Sequence, residues 1–299
     1  AIAFKTDSRV ISARWEVKER ASGDNMTAIL HRGLDLYIRR DGVWQFAGVG
    51  RPGAGYKCEY TIIKSMEEGE KECLLYLPAF SELLSLEIGV EQDAGIAPSP
   101  QPFRKKIVVY GSSIVHGASA SRPGLAYPAQ MCRFSGLDFI NIGLSGNAKM
   151  QPGMERILSD MAPDAFVLDC MPNCSPELIA ERTVPFVKYL RDNNPGVPIV
   201  FIQTVRRETG NFNMEIRAYE EAKRREVRKA VEVLREYGIT GFYFIDGEDF
   251  IGNDHEGTAD GTHPTDVGFS RMLEKIYPIV MDALRENGIY TASADCNGM

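Results

Sequence analysis

The chain has 299 residues, of which 44% are hydrophobic and 25% charged, and its formal net charge is −7. This composition is typical of a globular protein with a sizeable core, and the length favours two domains over one. The acidic balance argues against nucleic acid or an anionic membrane as a partner, because both reward a basic surface. We therefore expect a neutral or small-molecule partner.

No apolar stretch approaches the ~20 residues of a membrane span, so no transmembrane segment is predicted. The six cysteines are too few and too scattered for a disulfide scaffold, and Cys170 and Cys174 lack the second pair that a zinc site needs. The sequence begins at Ala1 rather than Met, which indicates a start removed by processing or cloning. If a signal peptide was removed with it, we expect a periplasmic or secreted location.

Residues 1–95 predict an all-β sandwich domain. Turn signals at Asp41-Gly42 and in the glycine-rich stretch 48–55 separate short segments that alternate or are rich in β-forming residues. These strand candidates are residues 15–20, 34–40, 60–65, 72–78 and 83–90. A linker is predicted over residues 96–104, because the stretch 91–102 carries three prolines and no periodicity.

Residues 105–299 change to a repeated pattern of strand, loop and helix. The strand candidates are residues 106–111, 138–143, 165–170, 198–205 and 241–247. Two helices are indicated by apolar residues at a spacing of three and four, around Val227–Leu234 and Met272–Ala283. Alternating apolar strands and helices predict a parallel sheet covered on both faces, with ligands bound beyond the carboxyl ends of its strands.

The segment GSSIVHG, residues 111–117, lies where the first of these strands ends. A serine hydroxyl needs a base within hydrogen-bond reach to become a nucleophile. Asp260 precedes His263 by three residues in the loop after the fifth strand, so a tight turn could place the carboxylate on one imidazole nitrogen. Either Ser112 or Ser113 could then use the other nitrogen.

Two further loops end at the same edge of the sheet. Gly146 follows the second strand, and its N–H can approach a substrate because no Cβ intervenes. Asn173 follows the third strand and offers a side-chain amide. With the amide of the serine, these are the donors that an oxyanion hole requires.

The order Ser, Gly, Asn and Asp-x-x-His on consecutive loops resembles the SGNH hydrolase superfamily, which includes the GDSL lipases and esterases. The resemblance spans about residues 104–288. It implies Ser113 as nucleophile, His263 as base, Asp260 as its orienting residue, and Ser113, Gly146 and Asn173 around the oxyanion. It also implies an α/β fold of flavodoxin type, a three-layer sandwich with a parallel five-stranded sheet.

Two positions depart from the family pattern: Ser112 stands where the family name has aspartate, and Cys174 follows Asn173 where many members have aspartate. The second departure puts the orientation of Asn173 in doubt. In the first domain, GLDLY at residues 33–37 resembles the Gly-x-Asp-Leu-Tyr signature of a sandwich that precedes certain SGNH esterases.

These observations predict a serine esterase that cleaves short acyl esters, with acetyl groups on carbohydrate preferred, and that needs no cofactor or metal. A broad-specificity esterase or lipase is the alternative within the class, and a non-catalytic carbohydrate-binding protein with a relic domain is the alternative outside it. A metal site is the competing interpretation of Asp254, His255, Asp260 and His263. Arg206 and Arg207 follow the fourth strand and either form surface ion pairs or meet an anionic substrate.

Overall fold

The computed structural model describes residues 1–247 and 249–291. Within these ranges the chain folds into two compact units. The first contains residues 1–104 and the segment 119–136, and the second contains residues 105–118 and the described residues from 137 onward. The segment 119–136, which lies inside the predicted second domain, therefore belongs to the first unit.

The first unit is built from antiparallel strands, with a short helix and one longer helix. The described strands are β1 Ile2–Thr6, β2 Ile11–Val17, β3 Leu34–Arg40, β4 Val43–Gly50, β5 Lys57–Ile63, β6 Lys71–Tyr76, β7 Leu83–Gly89 and β8 Ile96–Pro98. They pair in two sheets, in the orders β4-β3-β6-β1-β8 and β5-β2-β7. The helices are α1 Ala28–Arg32 and, in the segment 119–136, α3 Tyr127–Ser135. Trp15 and Leu36 lie in the core of this unit.

Three strands of this unit were not predicted: β1, β4 and β8. Strands β4 and β8 are at the edges of their sheet, and most of their side chains are partly or fully exposed. Edge strands with such exposure lack the alternation of apolar and polar residues that marks a half-buried strand. The predicted linker, residues 96–104, begins with the edge strand β8, which pairs with β1.

The Gly-x-Asp-Leu-Tyr signature supplies a buried carboxylate to the first unit. Asp35 is fully buried and accepts hydrogen bonds from Arg122 Nη1 at 2.9 and 3.0 Å and from the Gly124 N–H at 2.8 Å. Burial raises the pKa of Asp35, and the Arg122 guanidinium opposes that rise. The Arg122 guanidinium also lies over the ring of Tyr37, the last residue of the signature. The signature thus fixes the chain around residues 122–124.

The second unit is an α/β domain. Its described strands are β9 Arg104–Gly111, β10 Leu137–Gly143, β11 Ala165–Asp169, β12 Ile199–Ile202 and β13 Phe242–Ile245. Its helices are α2 Ser113–His116, α4 Met154–Asp160, α5 Pro176–Asn193, α6 Met214–Glu236 and α7 Asp266–Glu286. Single 3₁₀ turns lie at Pro123–Leu125, in the first unit, and at Met171–Asn173 and Glu208–Asn211 in the second.

These strands form one sheet in the order β10-β9-β11-β12-β13, with parallel pairing among the last four. That order is the flavodoxin-like one, so the prediction of this α/β fold is confirmed. The strands were predictable because they are short apolar runs; every residue of β11 and β12 is buried. None of the helices in the described ranges has the length and apolar character that crossing a membrane requires.

Candidate active site

Ser113 begins helix α2 directly after strand β9. The last residue of this strand, Gly111, must lack a side chain because a Cβ there would collide with the Asp169 carbonyl and with Val115. The Ser112 side chain is fully buried and caps the helix by accepting a hydrogen bond from the Ile114 N–H at 3.2 Å. Ser112 is therefore engaged in capping, whereas Ser113 is only partly buried.

The loop that carries His263 is shaped by Asp260. One carboxylate oxygen of Asp260 accepts the backbone N–H groups of Thr262 at 3.0 Å and His263 at 2.8 Å. Gly261 between them has φ +82°, a conformation that favours glycine. The other carboxylate oxygen lies 2.7 Å from His263 Nδ1. The hydrogen bonds within the Asp-Gly-Thr-His turn thus place the carboxylate and the imidazole together.

The hydroxyl and the imidazole come from positions 150 residues apart. Ser113 Oγ lies 2.8 Å from His263 Nε2. A carboxylate on Nδ1 favours the tautomer with the proton on Nδ1, which leaves Nε2 as an acceptor for the serine proton. Burial would raise the pKa of Asp260, but the hydrogen bonds from His263 and Thr262 outweigh it, so the pKa is lowered. The carboxylate therefore stays charged over a wide pH range.

Gly146 and Asn173 follow the strands on either side of β9. Gly146 has φ +73°, and apart from its two chain neighbours no described residue has an atom within 4 Å of where its Cβ would be, so the space beside it is open. The Asn173 side-chain oxygen accepts the Ala148 N–H at 3.2 Å. Because that oxygen is engaged, the NH₂ group is the half of the amide left to face another acceptor.

Cys174 occupies the position where many family members have an aspartate beside the asparagine, and in this structure it does not orient Asn173. The Cys174 thiol is buried and points to the carbonyls of Cys170, at 3.6 Å, and Ala148, at 3.7 Å. Burial raises the pKa of Cys174 to about 11, so it is a protonated thiol at neutral pH. The backbone N–H of Ala148 orients the Asn173 side chain instead, and the sequence gives no sign of this contact. The five described cysteines are buried and form no disulfide with one another, and Cys296 lies outside the described residues.

Lys223 supports the turn that carries Asn173, and sequence reasoning missed it. It lies on α6 with 0% exposure, and its Nζ lies 3.2 Å from the Pro172 carbonyl and 3.4 Å from both carboxylate oxygens of Glu220. Burial lowers the pKa of Lys223, and Glu220 opposes that change. A lysine so buried is held by specific partners, and one of those partners adjoins Asn173.

His116 also connects two parts of the site. Its Nδ1 lies 2.9 Å from Ser145 Oγ, one residue before Gly146. The close approach of the two segments needs Gly143, since a Cβ there would collide with the His116 backbone. His116 thus links the serine-bearing helix to the Gly146 loop and does not contact Ser113 in the way a base would.

The four residues of the competing metal-site interpretation contact other side chains or each other. Asp254 forms an ion pair with Arg271 at 2.6 Å, and His255 lies 2.8 Å from Glu208. Among the described side chains, no group of three or more His, Cys, Asp or Glu residues has the arrangement of a metal site. Asp260 and His263 instead contact each other.

Family models match both parts of the chain. Residues 104–281 match the GDSL-like lipase/acylhydrolase family, and residues 1–96 match the N-terminus of Esterase_SGNH_hydro-type proteins. The chain shares 53% identity with a GDSL-like lipase from Bacteroides ovatus ATCC 8483, covering 95% of this chain and 84% of that one with a TM-score of 0.93. No curated protein sequence matches the chain significantly.

Two more distant structures share the fold. The salicylyl-acyltransferase SsfX3 from a tetracycline biosynthetic pathway is 21% identical, with 94% of this chain and 81% of that chain covered and a TM-score of 0.74. A family two carbohydrate esterase from Clostridium thermocellum, in complex with cellohexaose, is 15% identical, with coverage of 96% and 92% and a TM-score of 0.65. The chain belongs to the GDSL-like lipase/acylhydrolase family and is a carboxylic ester hydrolase.

Proposed function

We propose that the protein hydrolyses short acyl esters, acetyl esters of carbohydrates above all, through a Ser113–His263–Asp260 triad. His263 Nε2 takes the proton of Ser113 as the oxygen attacks the ester carbonyl, and Asp260 stabilises the imidazolium. The imidazolium then gives its proton to the departing alcohol, which leaves an acyl-enzyme. Water, deprotonated by the same imidazole, releases the acid and restores the serine.

The observation that carries this mechanism is the continuous hydrogen-bonded line from Ser113 Oγ through His263 to Asp260, with distances of 2.8 and 2.7 Å. Both lie within the reach that proton transfer requires. The oxyanion is assigned to the amides of Ser113 and Gly146 and to the Asn173 NH₂. The left-handed Gly146 with open space beside it, and Asn173 fixed through its oxygen, support these roles.

The substrate class is inferred from the proteins that share this fold. The carbohydrate esterase from Clostridium thermocellum matches nearly the whole chain, and it is in complex with cellohexaose. The N-terminal unit of this chain matches a module that precedes esterases. These matches support acylated sugars as the substrate class, and acetate is our proposal for the acyl group.

Acid release from a panel of acetylated sugars, acetylated oligosaccharides and esters of longer acyl chains tests the proposal. Wild type should act most rapidly on acetyl esters of sugars, and Ser113→Ala should abolish that turnover. Preference for long acyl chains would contradict the sugar ester assignment and favour a lipase. Glycan binding without any ester cleavage would contradict the catalytic role.

A further inference from the structure

A charged cavity of about 270 Å³ lies after strand β12. Its volume is close to the lower end of the range of about 300 to 1,000 Å³ for small-molecule sites, so it suits one charged group or ring. Its lining residues are Arg206, Arg207, Gly210, Asn211, Arg217, Glu220, Glu221 and Arg224.

The lining is basic in a protein whose net charge is −7. Four arginines and two glutamates line the cavity. Arg224 also pairs at 3.4 Å with Asp246, a carboxylate outside the lining, so the positive excess of the lining is carried by the other arginines. Glu220 is already engaged by Arg207 and Lys223, each at 3.4 Å. The Arg217 guanidinium is held by the carbonyls of Gly210, at 2.9 Å, and Asn211, which fix its position without cancelling its charge.

The cavity adjoins both loops that carry the proposed chemistry. The segment that lines it begins at the carboxyl end of β12, which lies in the sheet between β11 and β13. Asn173 follows β11, and the Asp260–His263 loop follows β13. The Glu208 N–H donates to the Gly261 carbonyl at 2.8 Å, so the cavity segment is bonded to the histidine loop.

On the other side, helix α6 connects the cavity to the turn of Asn173. Glu220 lines the cavity, and its partner Lys223 contacts the Pro172 carbonyl at 3.2 Å. The segments that line the cavity are therefore connected to the loop of the base on one side and to the turn of an oxyanion donor on the other.

We infer that this cavity is a subsite for a carboxylate on the ester substrate, which makes acylated uronic acids the preferred sugars; the assignment rests on the proposed esterase function. Arginine pairs with carboxylates through two parallel hydrogen bonds, and a guanidinium held in place beforehand loses little freedom on binding. A neutral sugar offers no such partner.

Matched substrates test the subsite: an acetylated galacturonic acid and the corresponding acetylated galactose. Wild type should show a higher kcat/KM for the acidic ester, and raising the salt concentration should reduce the preference. Arg217→Gln should lower the ratio of the two kcat/KM values about tenfold, as expected for a lost hydrogen bond between charged groups. Arg217→Lys should keep part of the ratio.

Arg225→Gln is the matched control, because Arg225 is an exposed arginine of the same helix that does not line the cavity. It should leave the ratio unchanged. Equal rates on the two esters in wild type, or a ratio that Arg217→Gln does not change, would overturn the subsite.

A binding measurement separates this subsite from the esterase mechanism. In calorimetric titrations, the Ser113→Ala variant should bind free galacturonate more tightly than galactose. Adding Arg217→Gln to this variant should weaken the binding of galacturonate. Absence of that binding difference would refute the subsite even if Ser113→Ala has lost all turnover. Turnover retained by Ser113→Ala would instead refute the triad. The calorimetric comparison of galacturonate with galactose would then still decide whether the subsite exists.

Discussion

Replacement of Asn173 by alanine is the most informative test of the oxyanion assignment. In the structure the side-chain oxygen is engaged by the Ala148 N–H at 3.2 Å, which leaves only the NH₂ group to stabilise a developing negative charge. Loss of one oxyanion donor costs a factor of about 10² to 10³ in kcat, or about 2.7 to 4 kcal/mol of transition-state stabilisation. The same loss is expected for Asn173→Ala, with a smaller change in KM because the donor acts mainly in the transition state.

Asn173→Asp is the matched variant. It keeps an oxygen for the Ala148 N–H and the size of the side chain, but it places a carboxylate oxygen where the NH₂ group was. Repulsion of the oxyanion should make its kcat lower than that of Asn173→Ala. If the side chain served only to hold the Ala148 loop, the aspartate would preserve activity better than alanine.

The assay is initial-rate hydrolysis of p-nitrophenyl acetate, with kcat and KM determined separately and with folding checked by thermal unfolding. A kcat for Asn173→Ala within threefold of wild type would refute the assignment. A drop confined to KM would place Asn173 in substrate binding instead.

Further variants test the supports of the site. Asp260→Asn should lower kcat by about 10³ to 10⁴, because an amide can donate to His263 Nδ1 and so favour the tautomer whose Nε2 cannot accept the serine proton; kinetics near wild type would contradict this. Because the pKa of Asp260 is lowered on folding, the charged carboxylate stabilises the wild type above pH 5. The difference in free energy of unfolding between wild type and Asp260→Asn should therefore be largest there, and it should shrink as the pH falls below the ordinary pKa of 3.8. Urea titrations at several pH values measure that difference, and a constant difference would disprove the link. Lys223→Met should remove the buried partner of Glu220 and lower the free energy of unfolding by about 3 to 5 kcal/mol, and it should also reduce kcat. An unchanged urea midpoint would show that the Lys223–Glu220 pair does not stabilise the fold.

The parallel sheet could be predicted from the sequence because its strands are buried apolar runs separated by helices. The Asp260–His263 pair was also predictable, since a short turn through Gly261 is a local arrangement. Pairing with Ser113 needed the rule that parallel strands bring their carboxyl ends to one edge. That rule predicts proximity, whereas the 2.8 Å contact depends on the packing of the whole domain.

The supporting contacts could not be predicted, because each depends on a backbone group or a distant partner. The Ala148 N–H that orients Asn173 is a backbone group, so no residue type in the sequence indicates its role. Lys223 lies in a helix with many charged residues, and the sequence does not distinguish it from the exposed ones. Edge strands such as β4 were missed for a related reason, since exposed strands do not show the burial pattern. Arg206 and Arg207 were noted for an anionic substrate, but only the fold gathers Arg217 and Arg224 beside them.

The central claim is that Ser113, rather than its neighbour Ser112, is the nucleophile activated by His263. Reaction with a serine-directed fluorophosphonate followed by peptide mass spectrometry tests it directly. We predict one adduct per chain, located on Ser113, with labelling lost in Ser113→Ala and retained in Ser112→Ala. An adduct on Ser112, or labelling at full rate in His263→Ala, would contradict the claim.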